Sequence, residues 1–150
     1  MPDEILILGV GNVLLQDEGV GIHAIRKMEK LKWPDHVKLM DGGTGGFHML
    51  SILQEYKTII MIDAALDDDP PGTIKVLEPK FSKDFPRALS SHDIGLKDLL
   101  DSANLLGPLP KIHLIAVTIK PQQNLKMELS REFRHILPEI IKKVKKILKV

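Results

Sequence analysis

Acidic side chains follow three apolar segments of the chain, and a histidine follows later. Glu18 comes shortly after the first apolar run, Asp41 directly after the second and Asp63 directly after the third. His92 lies in a later segment that is predicted to be a loop. Two carboxylates and one imidazole form a ligand set suited to Zn, Ni, Co, Mn or Fe, and three protein ligands leave positions open for water or substrate. These residue types therefore indicate a candidate metal site.

Each of these residues also has a purely structural interpretation. Asp17 and Glu18 could cap a helix, and Asp41 could form an Asx turn that opens the glycine-rich loop after it. His92 could simply flank a helix. Asp63 is harder to explain in this way, because it follows a continuous apolar strand and precedes two alanines, where an unpaired charge is costly. The residues alone leave both interpretations open.

The segments that must position these residues alternate between strand and helix patterns. Strands are predicted over 4–8, 37–40, 58–62, 73–77 and 111–118, and helices over 18–30, 47–56, 94–100 and from 125 to the end. Loops are predicted over 79–91 and 104–110, and Pro138 should kink the terminal helix or begin a second one. This alternation predicts one α/β domain over residues 1–150, with three α/β/α layers and a five-stranded, mostly parallel sheet.

The composition excludes several classes of protein. The chain has 150 residues, no cysteine and no apolar run long enough to cross a bilayer, so disulfides, thiolate metal sites and a membrane span are excluded. We expect a cytoplasmic location, since the acidic N-terminus is not typical of a signal peptide. Residues 111–150 are basic, but aromatic residues make up only 4% of the chain, which favours a solvated lysine face over a nucleic-acid patch.

The glycine turn after the first strand resembles half of a dinucleotide-binding fingerprint. In Gly9-Val10-Gly11-Asn12-Val13-Leu14, however, a leucine stands where a third glycine or alanine is needed. Asp17 and Glu18 would repel a pyrophosphate at the start of the helix. The sequence also lacks the P-loop motif and the Gly-x-Ser-x-Gly motif of serine hydrolases. The turn is better interpreted as a device that places Glu18 beyond the sheet.

Four motifs of this chain resemble those of the [NiFe]-hydrogenase maturation endopeptidases, in the same order and near the same spacing. They are the opening motif from Gly9 to Gly21, Asp41-Gly42-Gly43-Thr44-x-Gly46, Ile62-Asp63-Ala64 and Ser91-His92-x-x-Gly95-Leu96. The segment 81–88 and the C-terminal helix carry no motif to compare. The resemblance implies an aspartyl-type endopeptidase that removes a C-terminal extension from a hydrogenase large-subunit precursor after nickel insertion.

The resemblance also implies roles for individual residues. Glu18, Asp63 and His92 would contact nickel, and Asp41 matches a glycine-loop aspartate that is also implicated, so that these four are the candidate catalytic residues. The family sheet has one antiparallel strand, for which 73–77 is the candidate. Nickel would arrive with the precursor, so we expect the resting enzyme to be metal-free. We also expect it to be a monomer. A nickel chaperone or sensor with the same ligands and a small nucleotide-binding domain are the alternative functions.

Overall fold

The computed structural model describes residues 3–45, 48–79 and 96–150, with side chains from residue 101 onward in the last range. Five strands form one sheet: β1 (Ile5–Gly9), β2 (Val37–Asp41), β3 (Thr58–Ala65), β4 (Ile74–Leu77) and β5 (Lys111–Thr118). A 3₁₀ turn (Gln16–Gly19) precedes the first of the helices, which are α1 (Val20–Met28), α2 (Met49–Glu55), α3 (Leu96–Leu106), α4 (Arg131–Arg134) and α5 (Ile136–Leu148).

The sheet has the order β2-β1-β3-β5-β4 and is parallel except at one edge. β1 pairs in parallel with β2 and β3, β3 pairs in parallel with β5, and β4 runs antiparallel to β5. One face of the sheet packs against Met49 and Leu53 of α2 and Ala103 of α3. The other face packs against α1, α4 and α5. The predicted three-layer fold with one antiparallel edge strand is therefore confirmed.

Two predicted element boundaries need correction. β3 was expected to stop at Ile62 but continues to Ala65, so Asp63 lies inside the strand. Ala64 and Ala65 are fully buried and extend the apolar run, which explains the continuation. α3 ends at Leu106, inside the predicted loop. The predicted start of this helix at residue 94 lies outside the described residues. Within the described part of the chain, no helix is long and apolar enough to cross a bilayer.

The predicted helix from residue 125 onward is wrong for residues 125–130, because α4 begins only at Arg131. The backbone before it bonds to the opening turn instead of to itself: the Lys126 carbonyl oxygen accepts the Gln16 N–H at 2.8 Å. Of the two outcomes predicted for Pro138, the structure confirms the second, the start of a new helix. Pro138 is the third residue of α5, where a backbone N–H would have no partner inside the helix, so the missing donor costs little.

The start of α1 lies directly against the sheet through Gly21. A Cβ added to Gly21 would clash with the carbonyl oxygens of Ile62 and Val10. The backbone of α1 therefore touches the backbone of β3 and of the turn after β1, with no side chain between them. This contact fixes the distance between the sheet and the 3₁₀ turn, which carries Glu18.

A buried carboxylate ties the same turn to the segment before α4. Asp17, only 4% exposed, accepts a hydrogen bond from the Ser130 N–H at 2.8 Å and another from the Ser130 hydroxyl at 2.7 Å. The Asp17 N–H donates to Gln123 Oε1 at 2.8 Å. The prediction that Asp17 caps the following helix is therefore wrong, because its side chain accepts hydrogen bonds from Ser130, which lies 113 residues away in the sequence.

The contact at Gly21 predicts a large loss of stability on adding one methyl group. We expect Gly21→Ala to lower the free energy of unfolding by about 3 kcal/mol, because backbone on both sides must move. Gly107→Ala is the control, since its Cβ would lie 3.5 Å from the Gln54 side chain, an ordinary contact, and should change stability by less than about 0.5 kcal/mol. Urea unfolding measures both, and equal effects would contradict the account.

The Asp17–Ser130 interaction predicts strong energetic coupling between these residues. In a double-mutant cycle with Asp17→Ala and Ser130→Ala, we expect a coupling of about 1–3 kcal/mol, because either change removes the hydrogen bond from the Ser130 hydroxyl to the buried Asp17 carboxylate. The exposed pair Glu139–Lys142, 3.8 Å apart, is the control and should couple by about 0.5 kcal/mol or less. Chemical denaturation gives the free energy of unfolding of every variant. Additive effects of the substitutions at Asp17 and Ser130 would show that the two residues are not energetically coupled.

Candidate functional site

The turn after β1 folds back on itself and delivers Glu18. Its Asn12 side chain accepts the Leu14 N–H at 3.0 Å, and the Asn12 N–H donates to the Glu18 carbonyl oxygen at 3.3 Å. A Cβ on Gly11 would clash with that same carbonyl oxygen, so only glycine fits there. Glu18 is held close to the end of β1 and is only 6% exposed. The residue is thus placed by backbone geometry, as the sequence interpretation of the turn predicted.

Asp63 lies inside β3, next to the turn that carries Glu18. The Val10 N–H donates to the Ile62 carbonyl oxygen at 3.0 Å, and the 3₁₀ turn packs against β3. Asp63 is fully buried, and its Oδ1 accepts the Ala64 N–H at 2.8 Å. Glu18 and Asp63 both make further interactions. The structure therefore brings two buried carboxylates to neighbouring positions at the carboxyl end of the sheet, where open α/β sheets place their sites.

Asp41 occupies a different part of this edge. It is exposed, and its Oδ1 accepts the Gly43 N–H at 2.8 Å, which is the Asx turn considered in the sequence analysis. Asp41 is aligned with Gly9 of β1, which is aligned in turn with Ile62 of β3. One strand therefore separates Asp41 from the Asp63 side of the site, a distance of roughly 10 Å between the outer backbones.

A small cavity joins the opening turn to the glycine loop. The Gly11 N–H donates to the Gly43 carbonyl oxygen at 2.9 Å and links the two loops. The cavity measures about 210 Å³ and is lined by Gly11, Asn12, Val13, Leu14, Ile22, Asp41, Gly43 and Thr44. Gly43 and Gly45 have positive φ angles of 60° and 85°, which glycine adopts without steric cost. This space can accept a side chain or a short length of peptide backbone.

The third predicted metal ligand, His92, lies outside the described residues. In the ranges 3–45, 48–79 and 101–150, no group of three His, Cys, Asp or Glu side chains could hold a metal ion. The described part of the site thus supplies two carboxylates, Glu18 and Asp63. Carboxylate oxygens bind divalent ions such as nickel weakly, and more strongly when an imidazole completes the set. These two carboxylates are the part of the predicted ligand set that lies within the described residues.

Sequence reasoning missed the residues that hold the opening turn in place. Ser130 and Gln123 bond to Asp17 from the far end of the chain, and no local pattern signals a pairing over such a separation. Burial and the nearby Arg26 lower the pKa of the His23 imidazole in α1, while a hydrogen bond with the Met127 backbone and the charge of Asp17 oppose this shift.

Comparisons with known proteins give the family whose model the chain matches. The family model HycI, described as hydrogenase maturation protease, matches residues 22–147. The chain is 36% identical over 110 residues to the hydrogenase 2 maturation protease of Escherichia coli K12, covering 71% of this chain and 67% of that protein. It is 34% identical over 124 residues to the hydrogenase expression/formation protein HupD of Bradyrhizobium diazoefficiens, covering 79% and 63%.

A solved structure extends the likeness to the whole fold. The hydrogenase maturating endopeptidase HybD from E. coli matches with a TM-score of 0.86 and 30% identity, over 97% of this chain and 92% of that one. The chain spans about three fifths of the length of several curated relatives it matches. Because the family model covers well over half of its residues, the chain belongs to the hydrogenase maturation protease family, as its four motifs predicted.

Proposed function

We propose that this protein is an endopeptidase that removes the C-terminal extension of a [NiFe]-hydrogenase large-subunit precursor after nickel insertion. The observation that carries the proposal is the pair of buried carboxylates in a member of this family, with Asp63 inside β3 and Glu18 in the 3₁₀ turn that packs against β3. A buried carboxylate is costly unless a hydrogen bond or a cation compensates it. We place the protein in the cytoplasm, acting as a monomer.

Nickel enters this proposal as part of the substrate. Glu18 and Asp63, completed by His92, would bind nickel already held by the precursor. Two carboxylates and one imidazole give weak, exchangeable ligation, which suits inspection of a loaded precursor better than permanent capture. A precursor without nickel would lack this contact and would stay uncut. The resting protein needs no metal of its own in this scheme.

Asp41 is assigned a different task from the other carboxylates. It is exposed to water and borders the cavity, and β1 separates it from β3, so it is poorly placed to bind the same ion. As a general base it would take a proton from a water molecule whose oxygen adds to the scissile carbonyl carbon. The carbon–nitrogen bond then breaks, and the amine leaves with the proton. Nickel could polarise that water as well, or only position the tail.

The carboxylates predicted to bind nickel can be tested by neutral replacement. We expect Glu18→Gln and Asp63→Asn each to slow cleavage of a nickel-loaded precursor by about 100-fold, since losing one ligand of a weak set removes the recognition contact. Mass spectrometry of the precursor's C-terminus follows the reaction, with nickel-free precursor alongside. Glu29→Gln is the matched control, because Glu29 is exposed at the end of α1.

The outcomes separate the competing functions. Cleavage at the wild-type rate by both variants would refute the assignment of Glu18 and Asp63. No cleavage by the wild-type protein, together with tight binding of nickel alone, would support a nickel chaperone or sensor instead. Stabilisation by a nucleotide with no response to nickel would support a nucleotide-binding domain. Thermal unfolding of each variant shows whether lost activity reflects lost structure.

The separate role of Asp41 gives its own prediction. We expect Asp41→Asn to slow cleavage by about 100-fold while leaving the preference for binding nickel-loaded over nickel-free precursor unchanged, because the amide cannot accept a proton. Its oxygen can still accept the Gly43 N–H, so the loop should keep its shape. Asp35→Asn, in the exposed segment before β2, is the control. Loss of the nickel preference in Asp41→Asn would show that Asp41 belongs to the metal contact.

A further inference from the structure

We propose that the open edge of β2 binds the precursor's C-terminal tail as an added sixth strand. β2 is the end strand of the sheet in the order β2-β1-β3-β5-β4. An edge strand presents unpaired N–H and C=O groups that can pair with an extended peptide. The inference rests on the proposed function, since it states how the same site receives its substrate.

The hydrogen bonds of the sheet show which main-chain groups of β2 face outward. The His36 carbonyl oxygen accepts the Ile5 N–H, and the Gly42 N–H donates to the Gly9 carbonyl oxygen, both at 2.8 Å. Even-numbered residues of this strand therefore face β1. Leu39 and Asp41 point their N–H and C=O groups the other way, and none of these groups bonds to backbone elsewhere in the described residues.

The outward edge leads directly to the candidate site. β2 ends at Asp41, which borders the cavity of about 210 Å³ together with Gly43, Thr44 and the opening turn. A Cβ placed on Gly43 would meet nothing within 4 Å, so the space beside the loop is open. A peptide paired along the five residues of β2 would cover about 17 Å and continue past Asp41 into this space.

Within its five residues β2 has neither a proline nor a bulge, two of the devices that prevent strand addition, although it carries the charged residues Lys38 and Asp41. Edge strands are commonly protected by proline, a bulge or several charged side chains. β2 has the sequence Val-Lys-Leu-Met-Asp, with regular pairing to β1 over all five residues and Lys38 as its only basic residue. The side chains of Leu39 and Met40 are only partly buried. An extended tail is the occupant this edge fits, since a peptidase must bind its substrate with the main chain accessible.

Proline substitution tests the edge without breaking the sheet. Leu39→Pro removes an outward N–H and leaves every bond to β1 in place. The control for the outward N–H is Val76→Pro in the opposite edge strand, where the side chain is more exposed than that of Leu39. In that strand, β4, the odd-numbered residues bond to β5, because the Thr118 N–H donates to the Thr73 carbonyl oxygen at 2.9 Å. The N–H of Val76 therefore points outward, as the N–H of Leu39 does. We expect Leu39→Pro to raise KM for the precursor about 10-fold with kcat nearly unchanged, and Val76→Pro to change neither.

A second experiment keeps the protein intact. Synthetic peptides that span the cleavage site are methylated at one backbone nitrogen at a time, and their binding is measured. Strand pairing predicts that affinity falls about 10-fold at alternate residues only, because every second N–H points toward β2. Amide exchange should slow at Leu39 and Asp41 on binding the unmodified peptide and stay unchanged at Lys38 and Met40, which already bond to β1.

The results distinguish this inference from the function on which it rests. If wild-type protein cleaves the precursor but exchange at Leu39 and Asp41 is unaffected, or methylation shows no alternation, the edge-pairing inference is wrong and the endopeptidase proposal stands. If Leu39→Pro and Val76→Pro raise KM equally, β2 has no special role. If wild-type protein never cleaves the precursor, the proposed function fails and this inference fails with it.

Discussion

The structure depends on the direct backbone contact between the start of α1 and the sheet at Gly21. No side chain separates the helix from the carbonyl oxygens of Val10 and Ile62. Because main-chain atoms set this spacing, the adjacent 3₁₀ turn can move little relative to the sheet. A similar close contact occurs at Gly11, where a Cβ would clash with the Glu18 carbonyl oxygen and only glycine fits. Glycine here creates close contacts, whereas at Gly43 it opens space.

The site combines rigid and open parts. Glu18 and Asp63 are buried and are positioned by strands and a fixed turn. Asp41 and the glycine loop lie at the exposed end of the edge strand, where a peptide could enter. Such a division suits an enzyme that must check one feature of its substrate and cut at another. Recognition calls for ligands held in a fixed geometry, whereas cleavage calls for access by backbone and water.

Much of the fold could be predicted from the sequence, and the failures have physical causes. The apolar runs identified all five strands, and the one antiparallel strand was assigned correctly to 73–77. The position of Asp63 was judged by its polarity, yet it lies within the strand because two buried alanines follow it. The region from 125 to 130 has a helical pattern of apolar residues, but its backbone partners the opening turn, and periodicity does not reveal long-range bonds.

The candidate site was predictable in part for the same reason. Glu18, Asp41 and Asp63 were found because each follows an apolar segment, and parallel strands bring their carboxyl ends together. The separation of Asp41 from the other two carboxylates could not be predicted from their spacing, since it depends on strand order. β1 lies between β2 and β3, so these two strands, which are consecutive in sequence, are not neighbours in the sheet.

The bond between Asp17 and Ser130 sets an order of events during synthesis. The strand and turn that carry Glu18 leave the ribosome early, but the partner that secures them is 113 residues further along. At roughly 5–20 residues per second, several seconds pass before Ser130 emerges. During this interval the turn lacks its anchor, so the site is completed only when most of the chain has been made. A nascent chain that stops early therefore has the motif without the geometry.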